Sequence, residues 1–238
     1  MLFSAASTIF LTFSLVLGGA VSAKPAKTEE LWYAVYENGE KVGQQVITYR
    51  KMPGGTKGLL KINRRMTINN DSLISPYHLE LNSSTILEGD AVISHRIEVK
   101  ENNDRIEGRA SGDLTGYAVS QSVGDKQYER RILFKDFECT DLSFPHKCFN
   151  QKGITSITRQ LNWETMEVIP TEIKYIKDTL FATKDQEVSC LVIRYKNRRS
   201  DRIDWVTADG ILLQSSGKNK RGSFLIKAAS KQKATAPK

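Results

Sequence analysis

Turn signals recur along this chain every 10–15 residues over much of its length, and most of them separate one run of branched and aromatic residues from the next. The strongest is Asn38-Gly39, since both central positions of a type I′ turn need positive φ, which Asn, Asp and Gly adopt at least cost. It divides Leu31–Tyr36 from Val42–Tyr49. Pro53-Gly54-Gly55, Gly89-Asp90, Asn102-Asn103, Gly124-Asp125 and Asp209-Gly210 punctuate further runs, among them 59–68, 78–88, 91–100, 105–110, 117–123 and 127–134. Later runs fall at 157–163, 167–176, 188–195, 202–206, 211–215 and 223–228. No segment beyond about twelve residues carries a 3.6-residue period. The pattern predicts an all-β chain: one antiparallel meander forming an open or spiral β-barrel, with at most one short helix, in 142–156, and two meander halves meeting near 137–156.

Strand phase gives the buried side. Ala91, Ile93, His95, Ile97 and Val99 share one face, and the mostly polar set Val92, Ser94, Arg96, Glu98 and Lys100 takes the other. Period-two alternation of this kind describes a sheet with one buried and one wet face.

The N-terminus reads as an export signal. The apolar run Ile9–Leu17 is followed by Gly18-Gly19 and by Val21-Ser22-Ala23, with small residues where signal peptidase cleaves. Residues 1–23 contain no Lys or Arg, so the α-amino group alone makes the positive end. The expected organisation is a signal peptide at 1–23, a polar leader at 24–30, one β-barrel-like domain at 31–229 and a disordered basic tail at 230–238. The expected location is periplasmic. No later stretch approaches 18 apolar residues, so no membrane span is expected.

The formal charge of +8 and pI near 9.3 favour anionic partners. An exported chain meets lipid headgroups and acidic polysaccharide rather than nucleic acid. In an oxidising compartment an even number of the three cysteines pairs. Cys139 and Cys148 flank a loop-like stretch containing Pro145 and are the expected disulfide; pairings of either with Cys190 stay open. Cys190 lies in an apolar strand and reads as a buried thiol.

The three histidines, His78, His95 and His146, show no metal-ligand spacing, and no Cys-x-x-Cys, nucleophile elbow, Walker loop or dinucleotide fingerprint occurs. No catalytic residue, metal or cofactor is expected. The arginines carry more information. Arg64 shares strand phase with Leu60, Ile62, Met66 and Ile68, and Arg130 with Tyr128, Ile132 and Phe134. A charge on an apolar face needs a partner or water. One reading pairs each with a buried carboxylate or lets the phase slip at a bulge. The other sets Arg64, Arg130 and His95 at the rim of a groove, where an arginine fork would take the anionic head of a lipid-like ligand.

Leu31-Trp32-Tyr33-Ala34-Val35-Tyr36-Glu37-Asn38-Gly39-Glu40-Lys41-Val42-Gly43, running on to Ile47-Thr48-Tyr49-Arg50-Lys51, resembles the opening hairpin of uncharacterised bacterial periplasmic β-meander families. Trp205-Val206-Thr207-Ala208-Asp209-Gly210 is similar to their last hairpins. The resemblance implies a spiral or half-open barrel, broadly like the periplasmic lipoprotein carriers, and brings no catalytic residue. The function it implies is a non-enzymatic envelope protein binding a lipid-like ligand or an envelope partner. Two alternatives stand beside it: a protein–protein module for envelope integrity, and a hydrolase acting on an envelope polymer.

Overall fold

The structure, a computed structural model, describes residues 28–71, 76–89, 91–142, 155–183, 186–208, 210–219 and 221–229. The stretch expected to be a signal peptide, residues 24–27 of the expected leader, the expected tail at 230–238, His146, Cys148 and nearly all of the segment expected to hold a helix lie outside them. Nothing therefore bears on the Cys139–Cys148 pairing. Cys190 is a buried free thiol, so the pairings that include it are not formed.

The first half of the chain forms β1 (Thr28–Glu37), β2 (Glu40–Met52), β3 (Leu59–Asn70), β4 (Tyr77–Glu88), β5 (Ala91–Glu101), β6 (Asp104–Gly112), β7 (Gly116–Val123) and β8 (Lys126–Leu133). A 3-10 turn, Phe134–Asp136, leads to the short β9 (Cys139–Thr140). The second half forms β10 (Thr155–Asn162), β11 (Glu167–Ala182), β12 (Glu187–Lys196), β13 (Asp201–Thr207), β14 (Leu212–Asn219) and β15 (Gly222–Ala228). β1 begins inside the stretch read as a polar leader.

The 15 strands of the described residues belong to one sheet, ordered from β8 back to β1, then β15 and back to β9. Every neighbouring pair is antiparallel except β9, which runs parallel to β10. The first and last strands meet at mid-sheet, from Tyr33 opposite Ala228 to Glu37 opposite Phe224. β8 and β9, adjacent in sequence, become the two edges and share no ladder, so the barrel is open. Each half is a meander of local hairpins, and only β1–β15 joins them in register.

The Asn38-Gly39 hairpin has φ of 50° and 89°, as a type I′ turn requires. Asn38 also ties this tip to β15, its Oδ1 accepting from the Ser223 amide at 3.1 Å. The even phase expected over Ala91–Val99 is broken. Ser94 pairs with Ile86 but Val92 pairs with Leu87, so Ile93 is the extra residue of a bulge. Val92 is consequently buried, while Ala91 and Ile93 face out.

The largest apolar cluster joins β4–β8 to Leu161, Trp163 and Met166 around the β10–β11 turn. The sheet must curl until its second half covers the inner face of its first. Gly108 on β6 makes room for this contact, because a Cβ there would lie 2.5 Å from the Met166 methyl carbon. Burying an aromatic of Trp163's size removes roughly 200 Å² from water, about 4–5 kcal/mol as an upper bound.

Candidate binding site inside the curled sheet

The turn that plugs the first meander is Trp163-Glu164-Thr165-Met166. Asn162 Oδ1 accepts from the Thr165 amide at 2.9 Å and its hydroxyl at 3.1 Å, which tightens the reversal. Met166 holds φ at +53°, a rare conformation for a long side chain, and its burial in the core stabilises it there. Trp163 meets Tyr117 edge-on at 4.9 Å and lies 5.0 Å from the His95 ring.

The three residues singled out in the sequence all turn to this reversal. Thr85, His95, Ala110, Val119 and Arg130 stand opposite one another on the inner face, strand after strand from β4 to β8. Arg64 sits one inward position along, opposite Ile47 and Ser83. Arg64 donates from Nε to Gln45 Oε1 at 2.8 Å and from its terminal nitrogen to the Glu164 carboxylate. Arg130 donates to the Met166 carbonyl at 2.7 Å, reaching from edge strand β8 to the far half of the chain. Both charges on the apolar phase thus have partners, Arg64 a carboxylate and Arg130 a carbonyl.

His95 is 4% exposed and its Nδ1 contacts the Thr85 hydroxyl at 2.8 Å. Burial pushes its pKa down to about 4, against weaker upward pulls from the Trp163 backbone and the Glu164 charge. His95 Nε2 and Trp163 Nε1 are both buried without a hydrogen-bond partner. Such orphaned polar atoms are uncommon and mark a place where a polar group is wanted. Thr85 is itself buried, so the Thr85–His95 contact fixes the Nδ1 side of a core ring and presents no nucleophile.

Two carboxylates near the turn have their pKa values shifted in opposite directions. Burial, assisted by the Glu164 charge, raises the Asp141 pKa to about 7, although both its oxygens accept from the Trp163 amide at 3.2 Å. Arg64 draws the Glu164 pKa down against the effect of burial. Arg202 on β13 adds to both fields and donates to Asp204 at 3.1 Å. Glu164 is thus faced by Arg64, Arg202, His95 and Asp141, yet its side chain keeps 42% accessibility, and Arg64 keeps 27%. The ion pair at this turn is therefore partly open to water. Beside it, Ile47, Tyr49, Leu60 and Ile62 on the same face are only partly covered. The inner face thus carries a partly wet ion pair next to a partly covered apolar strip.

Glu164, Asp141, Trp163 and Arg202 were not legible as site residues. The available signal was a tryptophan next to a glutamate in a turn, where small polar residues are usual. His78 is exposed and lies away from this turn. Among the described residues no three metal-ligating side chains cluster, and no helix is long and apolar enough to cross a membrane.

No protein-family model and no curated protein matches this chain. Among solved structures, the crystal structure of a β-barrel-like protein of the domain of unknown function DUF1849 from Brucella abortus is similar, with a TM-score of 0.61 at 13% identity. The match covers 87% of this chain and 97% of the other. The likeness is one of fold. It places the open sheet among β-barrel-like proteins and leaves function to the residues.

Proposed function

We propose that this chain is a non-enzymatic binding protein of the bacterial cell envelope that holds an amphipathic ligand inside its curled sheet. The carrying observation is the Arg64–Glu164 ion pair, which stays partly open to water at the β10–β11 turn beside the partly covered strip Ile47, Tyr49, Leu60 and Ile62, with the orphaned nitrogens of His95 and Trp163 buried in the packing of the same turn. An acyl chain would lie on the strip and its head at the ion pair. Glu164 already neutralises Arg64, which favours a zwitterionic or hydroxyl-bearing head over a purely anionic one. The export pattern of residues 1–23 supports the envelope setting.

The test uses Trp163 as reporter, with Trp32→Phe and Trp205→Phe removing the other two tryptophans. Titration with a monoacyl phosphocholine below its micelle concentration should shift Trp163 emission saturably. Arg64→Ala with Arg130→Ala should abolish the shift. An unresponsive Trp163 in a folded protein would overturn the reading.

A hydrolase reading draws on one observation. The Asp141 and Glu164 pKa values are pushed in opposite directions, as those of a general acid and its partner base are. Asp141 is engaged through both oxygens by the Trp163 amide, which favours binding over chemistry. Release of soluble fragments from envelope polymers, lost in Asp141→Asn, would reverse that preference.

A further inference from the structure

Ten of the 14 arginines have a partner. Nine contact a carboxylate and Arg130 a carbonyl. The remaining four, Arg50, Arg65, Arg96 and Arg109, have no ion pair or hydrogen bond among the described residues, and all four point from the outer face of β2, β3, β5 and β6. Lys61 stands among them, directly opposite Arg50, and Arg96 stands directly opposite Arg109. Like charges across a ladder repel and destabilise the sheet. The nearby Glu98 and Glu107 share Arg105, so that trio carries one net negative charge and leaves the five cations largely uncompensated.

From this we infer that the outer face of β2–β6 is a docking surface for the phosphate headgroups of an anionic lipid bilayer. It is a different surface from the inner face and does not depend on that reading. Within the patch lies a shallow dish of about 240 Å³, where Arg65, Arg96 and the Arg105-paired Glu98 stand beside the neutral Asn63, Asn82 and Ser84. These neutral groups add donors next to cations, and a guanidinium meets phosphate through two parallel hydrogen bonds. Five strands at about 4.8 Å spacing spread the cations over roughly 19 Å, too wide for one phosphate and matched to a surface of many. No Phe, Tyr or Trp shares the patch, so the base stacking that single-stranded nucleic acid needs is missing.

The test is flotation of the purified chain with vesicles of phosphatidylglycerol and phosphatidylcholine in equal parts, against pure phosphatidylcholine. Binding should require phosphatidylglycerol and fade as salt rises. Each arginine near such a surface is worth about five-fold in partitioning, so Arg65→Ser, Arg96→Ser and Arg109→Ser together should weaken binding on the order of 100-fold. A control losing the same charge from the other meander, Lys174→Ser, Lys177→Ser and Lys196→Ser, should stay within about five-fold of the unmodified chain. Because the triple arginine variant relieves repulsion, its melting temperature should hold or rise, which separates lost binding from lost folding. Equal binding to both vesicle types, or equal loss in the control, would overturn the inference. So would capture by immobilised polyglutamate with no vesicle binding, which would assign the face to an acidic protein.

Discussion

Arg64 on β3 and Glu164 in the β10–β11 turn are 100 residues apart in sequence and form an ion pair inside the curl. With Arg130 on the Met166 carbonyl, this contact ties the turn of the second meander to the inner face of the first. Alanine at Arg64 or at Glu164 should destabilise the fold by about 1–2 kcal/mol in urea unfolding. The pair is partly wet, so water screens it, and a double-mutant cycle should return a coupling of only about 1 kcal/mol. Additive single effects would show that the pair does not hold the turn.

Stability against pH should expose two opposing groups. Burial holds the His95 pKa at about 4 against 6.5 ordinarily, so the folded chain resists a proton that the unfolded chain accepts. Stability is therefore lost as pH falls from 6.5 toward 4, by up to about 3 kcal/mol. Asp141 acts oppositely. Its pKa of about 7 against 3.8 means the folded chain keeps a proton the unfolded chain releases, so that contribution is full below pH 3.8 and lost as pH rises to 7. Between pH 4 and 6.5 the two slopes offset each other. Urea unfolding across that window should show stability rising with pH in Asp141→Asn and falling with pH in His95→Gln, each relative to the unmodified chain.

Two glycines should respond unequally to alanine. A Cβ at Gly43 would overlap the Thr67 carbonyl oxygen across the β2–β3 ladder, and backbone on both sides cannot yield. Gly43→Ala should cost about 3 kcal/mol or more. At Gly108 the obstacle is the end of the Met166 side chain, 2.5 Å away, which can change rotamer. Gly108→Ala should cost about 1 kcal/mol. Similar losses at both would contradict the packing described.

Arg130 is the cross-link from edge strand β8 to the turn. Arg130→Ala should lower global stability by only about 1 kcal/mol, since the side chain is exposed. Its local effect should be larger. Hydrogen exchange should quicken in β8 and at Thr165–Met166 while β2–β4 keep their protection. Uniform exchange through the sheet would mean that the latch is not local.

The meander was legible because its determinants are local. Asn38-Gly39 forces a hairpin wherever the chain goes, and alternation between neighbours reports which side is buried. The phase of Arg64 and Arg130 located the inner face correctly. The bulge at Ile93 was not legible, since an extra residue leaves the apolar pattern intact and only the partner strand reveals it. Glu164 and Asp141 were hidden for a different reason. They owe their environment to contacts across the curl, and nothing near them in sequence marks a turn that will be enclosed. The order of the strands was also out of reach, because the β1–β15 pairing joins the two ends of the chain.

Native mass spectrometry of the chain, purified from periplasmic extract without detergent exchange, bears hardest on the binding reading. One bound amphiphile per chain is expected, retained by the unmodified protein and missing from the Arg64→Ala, Arg130→Ala variant. A bare mass in both, from protein shown to be folded, would contradict it.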